Sequence, residues 1–211
     1  MKMLAQALVF GDRTLITSAA ATLRAWSVWD ETHGLSASSG GQRDREGIAD
    51  LLPAQRGRAS AERNAELGLT SSRNRVFPDA RMILRGLPGY RWAVVTSAQR
   101  SATLARMRNA GLRAPLIIAA DDVTRGQPHP ESYLLAAELL GLPPAGCVVI
   151  EDAPAGLCAA QAAGMRTIAV TTTHPRERLT ADLVTDSLAA IQVTPVSTQL
   201  VLNISGEFPV G

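Results

Sequence analysis

The sequence has few aromatic side chains and almost no excess of charge of either sign. Aromatic residues make up 4% of the 211 residues, and 21 Lys and Arg stand against 19 Asp and Glu. So few stacking platforms and no overall basic field argue against a protein that binds nucleic acid. We therefore expect no nucleic-acid partner, and any anion must be bound by a local site.

Cysteine and long apolar runs are also scarce. The two cysteines, Cys147 and Cys158, lie in apolar stretches, where they are expected as small buried side chains rather than as a disulfide or a metal site. The longest uncharged stretch, residues 187–206, is too polar to span a bilayer. A turn at residues 11–13 interrupts the apolar start, so no signal peptide is expected. These absences predict a cytoplasmic protein with no membrane partner.

Five short apolar runs predict the buried strands of a parallel sheet, because none of them alternates apolar with polar residues. They are residues 7–10, 92–95, 116–119, 147–150 and 167–170. Helical patterns occupy residues 18–34, 97–111, 130–141 and 154–164, and each ends at a glycine suited to a left-handed cap. This alternation of strand and helix predicts an α/β fold with a doubly wound parallel sheet.

Residues 36–75 break this alternation. They carry seven arginines and five acidic residues but few large apolar ones. We therefore predict that residues 18–75 form a small α-helical cap inserted into a core of residues 1–17 and 76–211. Such a cap would lie over the carboxyl ends of the strands, where doubly wound sheets bind ligands. Its arginines could attract an anionic substrate, although most of them individually are expected to be solvated.

Polar clusters follow four of the strands or loops. They lie at residues 12–14, 96–97, 126–131 and 151–152. A hydroxyl group with free backbone N–H groups at a helix start binds phosphate, carboxylates hold Mg²⁺, and a further carboxylate can attack phosphorus. Each cluster alone has a plainer interpretation, such as a helix cap at Thr96 and Ser97. Their order along the chain favours phosphoryl transfer.

These motifs resemble those of the haloacid dehalogenase superfamily, and within it the sugar-phosphate phosphatases related to 2-deoxyglucose-6-phosphate phosphatase and beta-phosphoglucomutase. The resemblance covers nearly the whole chain and is most specific at residues 119–131, 151–156 and 163–165. Residues 33–35 and 76–80 resemble the family's passages into and out of its cap. The resemblance implies a Rossmann-like core with a small helical cap, and Mg²⁺-dependent phosphoryl transfer through an aspartyl-phosphate.

The first motif departs from the family pattern, which has a nucleophilic aspartate directly after the strand, a spacer, a second aspartate as acid/base, and then Gly-Thr-Leu. Here three residues separate Phe10 from Thr14 instead of four, and only Asp12 is acidic. If Thr14 sets the register, Asp12 matches the acid/base and the nucleophile is deleted. If the strand end sets it, Asp12 takes the nucleophile's place and Thr14 stands two residues on, as in the ion-pumping ATPase branch of the superfamily. We favour the first register, because Gly11 could absorb a deletion without strain.

A second departure is Gln127, which stands where the family's third motif has a lysine. A neutral amide can form a hydrogen bond but cannot supply the charge that neutralises the attacking carboxylate and the phosphate. The resemblance assigns the remaining roles by position: phosphate binding to Thr96 and Ser97, metal binding to Asp12, Glu151 and Asp152, and substrate contact from the cap to Arg43.

Two functions remain open from the sequence. One is a Mg²⁺-dependent phosphatase, possessing Asp12 and Gln127 at its catalytic positions, whose partner is a small phosphorylated metabolite such as a sugar phosphate. The other is a catalytically inactive protein that binds phosphate or a sugar phosphate, since hydrolysis of phosphate monoesters without a nucleophile is extremely slow. A dinucleotide-binding protein is excluded because no Gly-x-Gly-x-x-Gly follows the first strand. We expect a monomer or a weak dimer.

Overall fold

The computed structural model of the protein describes residues 1–17 and 74–205. The predicted helix at 18–34, residues 18–73 of the predicted cap, and Arg43, for which we predict a substrate contact, lie outside these residues. The described part contains eleven strands: β1 Lys2–Ala5, β2 Ala7–Gly11, β3 Ile16–Thr17, β4 Arg75–Val76, β5 Trp92–Val95, β6 Ile117–Ile118, β7 Cys147–Glu151, β8 Arg166–Val170, β9 Leu183–Thr185, β10 Ile191–Val196 and β11 Gln199–Ile204. Its five α-helices are α1 Asp12–Leu15, α2 Pro78–Gly86, α3 Arg100–Asn109, α4 Glu131–Leu139 and α5 Pro154–Ala162.

Six of these strands form a parallel sheet in the order β6-β5-β2-β7-β8-β9. All five predicted strands are confirmed, although β6 has only two residues. The sequence interpretation missed β9, whose three residues are too few for a clear pattern. The chain runs from β2 to one edge of the sheet and then crosses to β7 on the other side of β2. The carboxyl ends of β2 and β7 therefore form the topological switch point, where such sheets bind ligands.

The sheet is buried on both faces, as predicted for a doubly wound fold. Alternate residues of β2 belong to different clusters: Leu8 and Phe10 join one, whereas Ala7 and Val9 join the other. The first cluster includes residues of α2, β1 and β11, and the second includes residues of α4 and α5. Burial on both sides explains why the strand sequences are continuously apolar.

Gly111 and Gly141 end α3 and α4 as predicted. Both have a φ of +68°, in the left-handed region that glycine adopts without a steric penalty. The prediction for the cysteines is correct for Cys147, which is buried in β7, and wrong for Cys158, which is exposed. Leu157, Ala159 and Ala160 occupy the buried face of α5, so Cys158 lies on its outer side.

A second, antiparallel sheet was not predicted. Its order is β1-β11-β10, so the first strand of the chain pairs with the last described one, Lys2 opposite Asn203. In β11 the residues Leu200, Leu202 and Ile204 are buried while their neighbours are more exposed. That period-two pattern is the signal of a half-buried strand.

The two passages of the chain that flank residues 18–73 lie side by side. Ile16 pairs with Val76 and Thr17 with Arg75, in the short ribbon of β3 and β4. The described residues on either side of 18–73 are therefore neighbours in the fold, and the predicted cap between them stays a prediction. Within the described residues, none of the helices combines the length and the apolar character that a membrane crossing requires.

Candidate active site

Three polar residues follow three neighbouring strands at the same level of the sheet. Asp12 comes directly after β2, Thr96 after β5, and Asp152 after β7. The strand registers pair Gly11 with Val95 and Phe10 with Ile150. Asp12 and Thr96 each come one residue after the first pair, and Asp12 and Asp152 each come two residues after the second. The three side chains therefore lie at the same level of the carboxyl edge, at the switch point.

Asp12 is largely buried and forms an ion pair with a residue that the sequence interpretation did not select. Its Oδ2 lies 2.5 Å from Nη2 of Arg106, which is on α3, and their side chains are 14% and 10% exposed. Thr14 Oγ1 donates a hydrogen bond to the Gly11 carbonyl at 2.7 Å, which closes the one-turn helix α1. Asp12 is therefore fixed at the strand end with a charged partner.

Glu151 is buried beneath this loop rather than exposed at the edge. Its Oε2 accepts a 2.5 Å hydrogen bond from the Asp152 N–H. Burial, followed by the negative charge of Asp152 and then of Asp12, raises its pKa well above the usual value for glutamate. A carboxyl group so placed braces the backbone of Asp152, and its predicted role as a metal ligand stays a prediction.

Gly11 and Gly156 face this carboxyl group from two sides. A Cβ added at Gly11 would lie 2.3 Å from Glu151 Oε2, and one added at Gly156 would lie 2.1 Å from Oε1. Gly11 has a φ of −61°, which other residues also adopt. The structure thus gives a further reason for glycine at this position, which is the proximity of Glu151.

Gly11→Ala is therefore expected to destabilise the protein by about 1–3 kcal/mol, the usual cost of adding a methyl group to a well-packed interior. Glu151 is buried, and a shift away from the added methyl group would weaken the hydrogen bond that its Oε2 accepts from the Asp152 N–H. The measurement is chemical denaturation. Gly89→Ala is the matched control, since nothing lies within 4 Å of its added Cβ, and equal losses in the two variants would contradict the argument.

Asp152 is buried and held by the loop that follows β8. Its Oδ2 accepts a hydrogen bond from Thr172 Oγ1 at 3.2 Å, and its backbone carbonyl accepts one from Thr173 Oγ1 at 3.0 Å. His174 Nδ1 lies 3.0 Å from the same carbonyl. The sequence interpretation missed all three residues. The polar run 171–174 directly after a predicted strand was the available signal.

Thr96 and Ser97 differ in their surroundings. Thr96 is buried and its Oγ1 accepts a hydrogen bond from the Ala98 N–H at 3.1 Å. Its hydroxyl hydrogen can still be donated to a ligand. Ser97 is exposed. Both lie in the turn between β5 and α3, and phosphate binding at this turn stays a prediction.

Gln127 lies in a loop that the carboxylate of Glu131 closes. Glu131 accepts hydrogen bonds from the N–H groups of Thr124 at 2.7 Å and Arg125 at 3.0 Å. The Thr124 N–H bond is the main cause that lowers the pKa of Glu131. His129 Nδ1 accepts from the Glu131 N–H at 3.3 Å. The loop is thus ordered by its own side chains, with Gln127 partly buried within it.

Tyr133 is a further residue that the sequence interpretation missed. It is fully buried on α4, and its hydroxyl has no hydrogen-bond partner among the residues that the structure describes. Burial raises its pKa well above 10, and the charges of Glu151, Asp152 and Asp12 raise it further. Its hydroxyl therefore remains neutral near the three acidic residues.

The metal site predicted at Asp12, Glu151 and Asp152 can be tested against these surroundings. Within residues 1–17 and 74–205, no group of three or more His, Cys, Asp or Glu side chains is arranged to hold a metal ion. Glu151 is turned toward the backbone of Asp152, so only Asp12 and Asp152 remain as carboxylate donors. Mg²⁺ commonly binds through one or two carboxylates together with waters and substrate oxygens. These two residues fit that pattern.

Comparison with known proteins gives one consistent result. The sequence profile of the haloacid dehalogenase-like hydrolases matches residues 6–164. Hexitol phosphatase A of Escherichia coli (strain K12) is 38% identical, over 87% of this chain and 91% of its own. Validoxylamine A 7'-phosphate phosphatase of Streptomyces hygroscopicus subsp. limoneus is 34% identical, over 86% and 92%. The region of similarity therefore covers about nine tenths of the length of each relative.

Solved structures resemble the described fold as well. A HAD family hydrolase from Deinococcus radiodurans R1, with bound phosphate and sodium, has a TM-score of 0.65 at 26% identity, covering 88% of this chain and 92% of its own. CbbY from Rhodobacter sphaeroides, in complex with phosphate, has a TM-score of 0.69 at 25% identity, covering 88% and 95%. Each of those proteins holds phosphate in its crystal.

Proposed function

Because this chain belongs to the haloacid dehalogenase-like hydrolase family, we propose that it hydrolyses the phosphate monoester of a small sugar phosphate, with Asp12 as the nucleophile. The observation that supports this most is the position of Asp12. It is the first residue after β2, level with Thr96 and Asp152, and its carboxylate is paired with Arg106. That geometry favours the register set by the strand end over the one set by Thr14.

The proposed reaction has two steps. An oxygen of Asp12 forms a bond to phosphorus while the bond between phosphorus and the sugar oxygen breaks, and the departing alkoxide takes up a proton from solvent water. Water then attacks the phosphorus of the aspartyl-phosphate, which releases inorganic phosphate and a proton and restores the Asp12 carboxylate. Thr96 donates its hydroxyl hydrogen to a phosphate oxygen, and N–H groups ahead of α3 bind the others.

Asp12 and Asp152 are the residues that would hold Mg²⁺ in this proposal. The bound cation would offset negative charge on the carboxylates and the phosphate as they approach one another. Thr172 keeps Asp152 oriented through the 3.2 Å hydrogen bond to its Oδ2. Glu151 supports the backbone of Asp152 and does not act as a ligand.

The substrate class rests on the relatives. One is named for a hexitol phosphate and the other for a phosphorylated validoxylamine, and both are similar to this chain over most of their length. We therefore propose a phosphorylated sugar or sugar alcohol as the partner. Substrate contact from Arg43, the cytoplasmic location and the monomeric or weakly dimeric state stay predictions from the sequence.

The test of the proposal is release of phosphate from 4-nitrophenyl phosphate and from hexose and hexitol phosphates, each with Mg²⁺ and with a chelator. Acid-quenched samples are digested, and the peptides are examined for phosphate on Asp12. Turnover that requires Mg²⁺, with phosphate on Asp12, supports the proposal. Binding of phosphate without any turnover supports the alternative of a catalytically inactive binding protein.

Phosphate is also expected to protect the folded protein against thermal unfolding. A ligand that binds only the folded state stabilises it by about 2.7 kcal/mol at a hundred times its dissociation constant. Thr96→Ala should reduce this phosphate-induced rise in Tm, because it removes the buried hydroxyl at the proposed site. Ser101→Ala, at an exposed position on α3, is the control. The same rise in both variants would argue against a role for Thr96.

A further inference from the structure

The negative charge of Asp12 is balanced by Arg106 and not by the residue at the family's lysine position. Gln127 stands at the family's lysine position and is neutral, whereas Arg106 contacts Asp12 directly, with 2.5 Å between Nη2 and Oδ2. Arg106 belongs to α3, which precedes the Gln127 loop in the chain. The cation beside the first-motif carboxylate therefore comes from a different element of the fold.

Arg106 lies on the buried face of α3, where its positive charge needs an anionic partner. Four residues form the buried face of this helix: Ala102, Thr103, Arg106 and Met107. A guanidinium group in such surroundings is costly unless it is paired and hydrogen-bonded. Arg108, only two residues away, is exposed to solvent. Among the described residues, the only ion pair of Arg106 is with Asp12, so the pair accounts for the buried charge.

The positive charge of Arg106 lies beside groups that are all negatively charged in the proposed reaction. Asp12 and Asp152 are both acidic, and a phosphate monoester brings further negative charge to the same edge of the sheet. Attack by Asp12 requires these anions to approach, and a nearby cation lowers their repulsion most effectively where water is excluded. The side chain of Arg106 is 10% exposed, so its charge is only weakly screened by solvent.

We propose that Arg106 is the positioning residue for Asp12 and supplies the positive charge that Gln127 cannot. This inference rests on the proposed function, because it assigns Asp12 the attacking role. Arg106 fixes Oδ2 of the carboxylate and leaves the other oxygen available for phosphorus. The arginine thereby takes over, from α3, the electrostatic role of the family's third-motif lysine.

The experiment is a double-mutant cycle between Arg106→Gln and Gln127→Lys, measured as kcat and KM for 4-nitrophenyl phosphate with Mg²⁺. Arg106→Gln is expected to lower kcat by at least ~10²-fold with a smaller change in KM, and Arg106→Lys to restore part of the loss. Gln127→Lys should raise kcat far more in the Arg106→Gln background than in the parent, because the lysine then supplies the missing charge. Arg108→Gln is the matched control and should resemble the parent.

Two results would overturn the inference. One is an unchanged kcat in folded Arg106→Gln, and the other is an equal gain from Gln127→Lys in both backgrounds. If Arg106→Gln does not fold, the cycle is run with Arg106→Lys, whose shorter side chain withdraws charge from Asp12. A larger gain from Gln127→Lys in that background supports the inference, and an equal gain refutes it.

Failure of the proposed function gives a different pattern. A parent protein without turnover rejects the phosphatase, and the charge role is then decided by binding of inorganic phosphate, measured by calorimetry. We expect the Kd for phosphate to rise at least ~10-fold in Arg106→Gln, or in Arg106→Lys should the former not fold, and to stay the same in Arg108→Gln. Equal Kd values in the parent and the Arg106 variant would refute a role for Arg106 at the site.

Discussion

Asp12→Asn is expected to reduce turnover of 4-nitrophenyl phosphate by at least ~10³-fold. The asparagine keeps the shape of the side chain but lacks the negative charge and the nucleophilic oxygen that form the aspartyl-phosphate. The remaining groups could still bind phosphate, but positioning alone does not replace a nucleophile in so slow a reaction. The measurement is initial rate with Mg²⁺ on protein purified identically to the parent.

The control for this variant is a second aspartate that pairs with arginine. Asp122 lies 2.5 Å from Arg100, the same separation as between Asp12 and Arg106. Asp122→Asn should keep turnover within a few-fold of the parent, while both variants keep cooperative thermal unfolding. Equal turnover in Asp12→Asn and the parent would show that Asp12 is not the nucleophile.

The second large effect concerns the leaving group. With Asp12 as nucleophile, the position two residues on is Thr14, which is buried and donates its hydroxyl hydrogen to the Gly11 carbonyl. A threonine hydroxyl there is no general acid for a departing alkoxide, and general acid catalysis contributes ~10²–10⁴-fold. A nitrophenolate leaves without protonation. We therefore expect kcat/KM for 4-nitrophenyl phosphate to exceed that for a hexose phosphate by a similar factor.

Thr14→Asp should narrow this gap, since it adds a carboxylic acid two residues after the nucleophile. Turnover of the hexose phosphate should rise, whereas turnover of the aryl phosphate should change much less. Thr14→Asn has a similar size but no acidic proton, so it should leave the ratio of the two substrates as in the parent. Comparable kcat/KM values for both substrates in the parent protein would mean that another residue already protonates the leaving group.

The sheet and the position of Asp12 could be predicted from the sequence because both depend on local patterns. Continuous apolar runs mark buried parallel strands wherever they occur, and a carboxylate directly after such a run must lie at the sheet's carboxyl edge. The strand β11 also had a readable signal in its alternation of buried and exposed residues.

Arg106 could not be identified in the same way. Residues 97–113 contain four arginines, and the sequence alone does not say which of them faces inward. Only the packing of α3 on the sheet selects Arg106, together with Ala102, Thr103 and Met107. The contacts of Glu151 could not be predicted from the sequence either. Gly11 and Gly156 are distant in sequence, and only the tertiary fold brings both of them against its carboxyl group.

The pairing of β1 with β11 has a consequence for biosynthesis. Lys2 is synthesised long before its partner Asn203, because about 200 residues separate them in the sequence. The central strand β2, which ends at Asp12, likewise waits for β5 and β7 before its hydrogen bonds are complete. Contacts of such long sequence separation slow folding and leave apolar strands exposed meanwhile. The nascent chain is thus most vulnerable to aggregation before the residues of β11 are available to close the structure.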